Sequence, residues 1–114
     1  MLNWEIEFYQ TSTGNKPIEE FIDSLEKKTQ LKIAHAIDLL QEFGLRIGYP
    51  QIKKVTGTDL WELRILGSDN IRIFYIAINN KTFLLLHGFR KKKQKTPDRE
   101  IRLALGRLKE YRMR

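Results

Sequence analysis

Two runs of apolar residues, Ile71–Ile78 and Thr82–Phe89, stand back to back with only Asn79-Asn80-Lys81 between them. Each is apolar at nearly every position. That is the pattern of central strands covered on both faces, not of strands with one face in water. Arg72, Tyr75 and His87 are the polar exceptions. A chain of 114 residues holding such a pair has room for one sheet, its cover and little else. One domain over residues 1–114 is therefore predicted, with no internal repeat or dividing linker.

The other elements follow from period. Trp4, Ile6 and Phe8 alternate with Glu5 and Glu7, a half-buried first strand. Pro17 opens a helix with Ile18, Phe21, Ile22 and Leu25 on one stripe. Lys27–Gln30 reads as a polar break before a second helix carrying Ile33, Ala36, Ile37, Leu40 and Phe43, with Gly44 as its C-cap. The two are predicted to form a helical hairpin. Residues 45–59 read as a loop with room for a short strand at Ile52–Val55. Trp61, Leu63 and Ile65 then alternate with Glu62 and Arg64, and turns are expected at 67–70 and 79–80. Thr96 as N-cap, Pro97 at the first position and Asp98 in the first turn start a last helix striped by Ile101, Ala104, Leu105, Leu108 and Tyr111, which turns Arg99, Arg102, Arg107, Lys109 and Arg112 mainly to water. The order β-α-α-β-β-β-α predicts an α+β fold with a largely antiparallel sheet.

Charge is unevenly placed. The chain carries 21 Lys and Arg against 14 Asp and Glu, net +7. Residues 90–114 hold 11 bases and three acids, net +8, so the rest is almost neutral. A neutral body with a basic C-terminal quarter points first to a polyanion such as nucleic acid, with solubility or an acidic protein partner as the alternatives. The absence of cysteine excludes disulfide scaffolds, Cys-ligated metals and thiol nucleophiles. No apolar run reaches membrane-spanning length, and Glu5 and Glu7 interrupt any secretory pattern, so a cytoplasmic protein without a membrane partner is expected. His35 and His87 make no metal pair, and no phosphate-loop or dinucleotide glycine pattern occurs. Any catalysis is expected to use neither metal nor organic cofactor.

Polar residues planted in strands are the candidates. In a hairpin joined at 67–70, Arg64 and Arg72 lie close enough across the ladder to address one anion, and guanidinium groups grip phosphate in bidentate fashion. The plainer reading pairs Arg64 with Glu62 or Asp69. His87 suits either a core histidine or a proton-transfer group. Arg90, Lys91, Lys92, Lys93 and Lys95 join a strand end to a helix N-terminus, a favourable place for an anion, although lysine runs are usually just solvated.

Leu60-Trp-Glu-Leu-Arg-Ile65, Ile71-Arg-Ile-Phe-Tyr75, Leu84-Leu-Leu-His-Gly-Phe-Arg-Lys-Lys92 and Thr96-Pro97 resemble the RelE/ParE toxin superfamily, in particular its HigB-like, phage-derived branch. His87 to Pro97 is the most specific stretch, and the likeness covers essentially the whole chain. It implies a RelE-like fold and the toxin of a type II toxin–antitoxin pair, most of which cleave messenger RNA in the ribosomal A site. By the same resemblance Arg72 matches the strand arginine at the scissile phosphate, Arg64 a basic position of the preceding strand, and Lys91 with Lys92 the basic residue after the last strand. Glu62 stands where RelE relatives often have lysine, which either removes a phosphate contact or supplies a base. The implied reaction, attack of the RNA 2′-hydroxyl on phosphorus, would use Arg72 and Arg64 for charge, His87 and Glu62 for proton transfer and Lys91 as acid or electrostatic contact. Arg90, Lys92, Lys93, Lys95, Arg99 and Arg102 would bind RNA. A helix-turn-helix, HigA-like antitoxin is the implied partner. A ParE-like gyrase inhibitor and a non-catalytic basic module are the alternatives.

Overall fold

The computed structural model describes residues 3–67, 69–79 and 81–114. Ser68 and Asn80, within the turns expected at 67–70 and 79–80, lie outside them. The chain runs β1 (Glu5–Phe8), α1 (Pro17–Asp23), α2 (Lys27–Phe43), a short 3-10 turn (Gly44–Ile47), β2 (Ile52–Lys54), β3 (Trp61–Ile65), β4 (Ile71–Asn79), β5 (Thr82–Arg90) and α3 (Asp98–Arg112). One five-stranded sheet has the order β1-β5-β4-β3-β2. β1 is parallel to β5 and every other pair is antiparallel, so the α+β reading holds.

β4 and β5 are the inner strands their composition demands. One face of the sheet packs Ile71, Ile73, Phe83 and Leu85 against Ile33 and Leu40 of α2. The other packs Phe74, Ile76, Leu84 and Leu86 against Ala104 and Leu108 of α3. The register of β4 against β5 shifts after Phe74, which pairs with His87, while Tyr75 pairs with Leu85. The unpaired residue between them is Leu86, a bulge that turns both Leu86 and His87 toward α3.

Two glycines have steric reasons. A Cβ on Gly88 would lie 2.8 Å from the Phe21 ring, so α1 passes too close for any side chain there. Gly44, at φ +60°, ends α2 under Trp4, whose ring stacks on Phe83 at 4.0 Å and so seats β1.

Three local expectations are corrected. Lys27–Gln30 is the first turn of α2, not a break. The Gln30 side chain donates back to the carbonyls of Ile22 and Leu25 (3.0 and 3.1 Å), so a polar residue inside one helix closes the end of another. Arg107 does not face water: it donates to the Leu86 carbonyl at 2.8 Å and lies over the Tyr9 ring. Pro97, not Thr96, occupies the cap position of α3. Tyr9 donates to Glu110 (2.7 Å) and Tyr111 to Glu7 (2.9 Å), fastening the C-terminal half of α3 to the first strand.

Candidate phosphate-binding site

β3 and β4 pair with Arg64 directly opposite Arg72 and Glu62 opposite Phe74. All four therefore share the α3 face. Like charges directly across a ladder repel. The conflict is met two residues along, where Glu62 Oε1 lies 3.5 Å from the Nε of each arginine. Glu62 is 6% exposed and Arg72 only 3%. Neither Nε has a hydrogen-bond partner, although both are buried. Arg72 spends one terminal nitrogen on its neighbour's carbonyl, Ile71 O, at 3.0 Å. Arg64 reaches the Pro50 carbonyl at 3.3 Å and lies over the Tyr49 ring. Burial pushes Arg72 below the usual arginine range, Arg64 adds to the shift and Glu62 opposes it. An arginine still keeps its proton at any ordinary pH.

The open arginine fork expected from sequence is thus replaced by a cation–carboxylate–cation triad, in which Glu62 holds the place of the shared anion. The triad borders a cleft of about 470 Å³ between the β2 edge, the loop after β5 and the start of α3. Glu62, Arg64, Lys91 and Lys95 line it, as does Phe74, whereas Arg72 sits behind Glu62 and does not. Lys53, Lys54, Thr56, Gln94, Thr96 and Asp98 complete the charged and polar wall, and sequence reasoning missed all six as site residues. Lys53 faces Glu62 across β2–β3, a juxtaposition visible only once the short edge strand is registered. Lys54 instead donates its ammonium to the Thr58 carbonyl. Five bases against two acids leave the cleft wall positive.

The structure separates the remaining candidates. Arg90, Lys92, Lys93 and Arg99 line a second cleft, of about 330 Å³, with Phe89, Pro97 and Glu100. Arg102 is exposed on α3. His87 lines neither cleft. Its Nε2 meets Glu100 Oε1 at 2.7 Å and its Nδ1 meets an Arg107 nitrogen at 3.4 Å. Arginine can only donate, so Nδ1 accepts and Nε2–H donates to Glu100; the tautomer is assigned from this network. Burial lowers the His87 pKa, the Glu100 hydrogen bond opposes that, and Arg107 reinforces it. With both nitrogens engaged, the ring ties β5 to α3. Among the described residues no group of three or more His, Asp or Glu is placed to hold a metal ion, and no helix is long and apolar enough to cross a membrane.

The family described as phage-derived protein Gp49-like (DUF891), associated with RelE- and HigB-like toxins, matches residues 20–109. No curated protein matches the sequence.

Proposed function

We infer that this chain, which belongs to the Gp49-like family of phage-derived proteins, is the toxin of a toxin–antitoxin module and cleaves messenger RNA without a metal. The observation that carries the reading is the triad: the buried Arg72 and the half-buried Arg64, each with a buried and unspent Nε donor, balanced by one carboxylate beside a cleft walled by lysines. A phosphodiester offers the arginines several oxygens in place of one. It exchanges readily for contacts as loose as 3.5 Å.

In this reading the scissile phosphate enters beside Arg64, and Glu62 is released as the base. The 2′-oxygen gives its proton to Glu62 and forms a bond to phosphorus; the bond to the 5′-oxygen breaks, and the departing oxygen takes a proton from Lys91. The products are a 2′,3′-cyclic phosphate and a free 5′-hydroxyl. Arg64, backed by Arg72, meets the charge that grows on the phosphoryl oxygens, a contribution typically worth ~10²–10³ in rate per donor. Lys53, Lys91 and Lys95 hold the neighbouring backbone. His87 takes no part in the chemistry. The partners implied are messenger RNA, in the ribosomal A site as for the resembled toxins, and a small helix-turn-helix antitoxin that covers the basic surface.

Induction in a bacterium, followed by mapping of messenger RNA ends and of plasmid supercoiling, tests this. New RNA ends at in-frame positions, abolished by Glu62→Gln, are expected. Relaxed or broken DNA with intact RNA would instead assign the gyrase-inhibitor role, and normal growth with intact RNA the non-catalytic one.

A further inference from the structure

The loop between β5 and α3 is a wall with two faces. Lys91, Gln94 and Lys95 line the cleft that holds the triad, whereas Lys92, Lys93 and Pro97 line the second cleft. Lys91 and Lys92 are consecutive, their Cα atoms ~3.8 Å apart, so the loop itself is the wall that the two clefts share. The second cleft carries four bases, Arg90, Lys92, Lys93 and Arg99, against one acid, Glu100. That acid is already committed, at 2.7 Å from His87 Nε2 and 3.6 Å from Arg99 Nε. Arg90 is drawn to Asp69, whose backbone carbonyl it meets at 2.9 Å. Lys92 and Lys93 have no ion-pair partner among the described residues, and the Arg99 side chain, 78% exposed, holds Glu100 only at 3.6 Å. Phe89 forms an apolar back to the cleft, its ring stacked on His87 at 5.4 Å.

We propose that this second cleft is a separate phosphate subsite, which takes the backbone of the same single-stranded RNA after it crosses the loop from the triad. The proposal rests on the reading of the first cleft as the RNA site. It adds that binding and scission occur on opposite sides of the 91–97 loop. A surface made for an acidic protein would not need its cations divided by a narrow wall; a polymer with a phosphate at every step does. The second cleft contributes grip and no chemistry.

Two uncleavable probes test it, both 2′-deoxy at the cut position: a dinucleotide with one phosphodiester, which can fill only one cleft, and a nonanucleotide, which can fill both. Affinity is measured over a salt series for the full chain and for Lys92→Ala/Lys93→Ala/Arg99→Ala. Lys16→Ala/Lys27→Ala/Lys28→Ala removes the same charge from exposed positions elsewhere and serves as control. Single-strand slopes run near 0.7 per phosphate contacted. Loss of three contacts should lower the nonanucleotide slope by about 2 in the cleft variant, with the dinucleotide slope as in the parent protein. The control variant should keep both slopes. Equal losses in the cleft and control variants, or no change in the nonanucleotide slope, would overturn the second subsite while leaving cleavage at the first intact. Absence of binding and of cleavage by the parent protein would instead remove the reading of the first cleft. Tight binding of an acidic helical peptide that Lys92→Ala/Lys93→Ala/Arg99→Ala abolishes, with oligonucleotide slopes unmoved, would reassign the cleft to a protein.

Discussion

Replacing Glu62 by alanine should destabilise the protein far more than replacing the arginine beneath it. Glu62 is the only carboxylate within 4 Å of either guanidinium among the described residues, and it lies 3.5 Å from both. Its removal leaves Arg72 buried with one backbone carbonyl for company, facing Arg64 across the ladder. Stranding a buried charge in this way costs roughly 3–5 kcal/mol. At roughly 4 °C per kcal/mol for a chain of this size, the melting temperature should fall by about 12–20 °C. Arg72→Met leaves Glu62 still paired with Arg64 and fills the space with an apolar chain, so its loss should be less than half as large. The double variant Glu62→Ala/Arg72→Met should then be more stable than Glu62→Ala alone, because the stranded cation has gone. Urea unfolding at pH 7 in chloride buffer measures all three. Inorganic phosphate at 100 times its dissociation constant should return about 2.7 kcal/mol to Glu62→Ala by mass action. A Glu62→Ala cost below about 1 kcal/mol, or a double variant less stable than Glu62→Ala, would refute the view of Glu62 as the anion that holds two arginines together.

His87 binds protons less readily in the folded chain than when unfolded. The unfolded state therefore takes up more protons below its pKa of about 6.5. Stability should be complete above that value and decline as pH falls through the depressed folded pKa; His87→Asn should flatten the curve below about pH 6.5. The Tyr75 hydroxyl is buried without a partner, which also pushes its pKa up, so Tyr75→Phe should stabilise by roughly 1 kcal/mol in the same urea assay. Gly88→Ala should cost about 1–3 kcal/mol, since its methyl group would meet the Phe21 ring.

The strands and helices were legible because period and burial coincide: Ile71–Ile78 is apolar at all but Arg72 and Tyr75 and is buried through Ile76, and Trp61, Leu63 and Ile65 share the α2 face as their alternation requires. The start of α2 was not legible, because Gln30 looks like a loop residue unless the carbonyls it caps are known. The pairing of Arg64 with Arg72 followed from the turn between them. The orientation of Glu62 did not: alternation places it on their face but cannot say that its carboxylate falls between them. His87 was ambiguous for a further reason. The β-bulge at Leu86 that turns it against Arg107 and Glu100 leaves no mark in the sequence. Lys53 escaped notice because a three-residue edge strand carries too little pattern to fix a register.

If the triad receives a phosphodiester and Glu62 takes the attacking proton, the rate of scission depends on that carboxylate. Single-turnover cleavage of a ribo-oligonucleotide, on ribosomes programmed with it, measures this most directly. Glu62→Gln keeps the size and polarity of the side chain and removes the base; it should bind the RNA yet cleave it ~10²–10⁴ times more slowly. His87→Asn should cleave at close to the parent rate wherever it stays folded, and a 2′-deoxy residue at the cut position should stop the reaction for every form. Undiminished cleavage by Glu62→Gln, or equal cleavage of the 2′-deoxy oligonucleotide, would contradict the account.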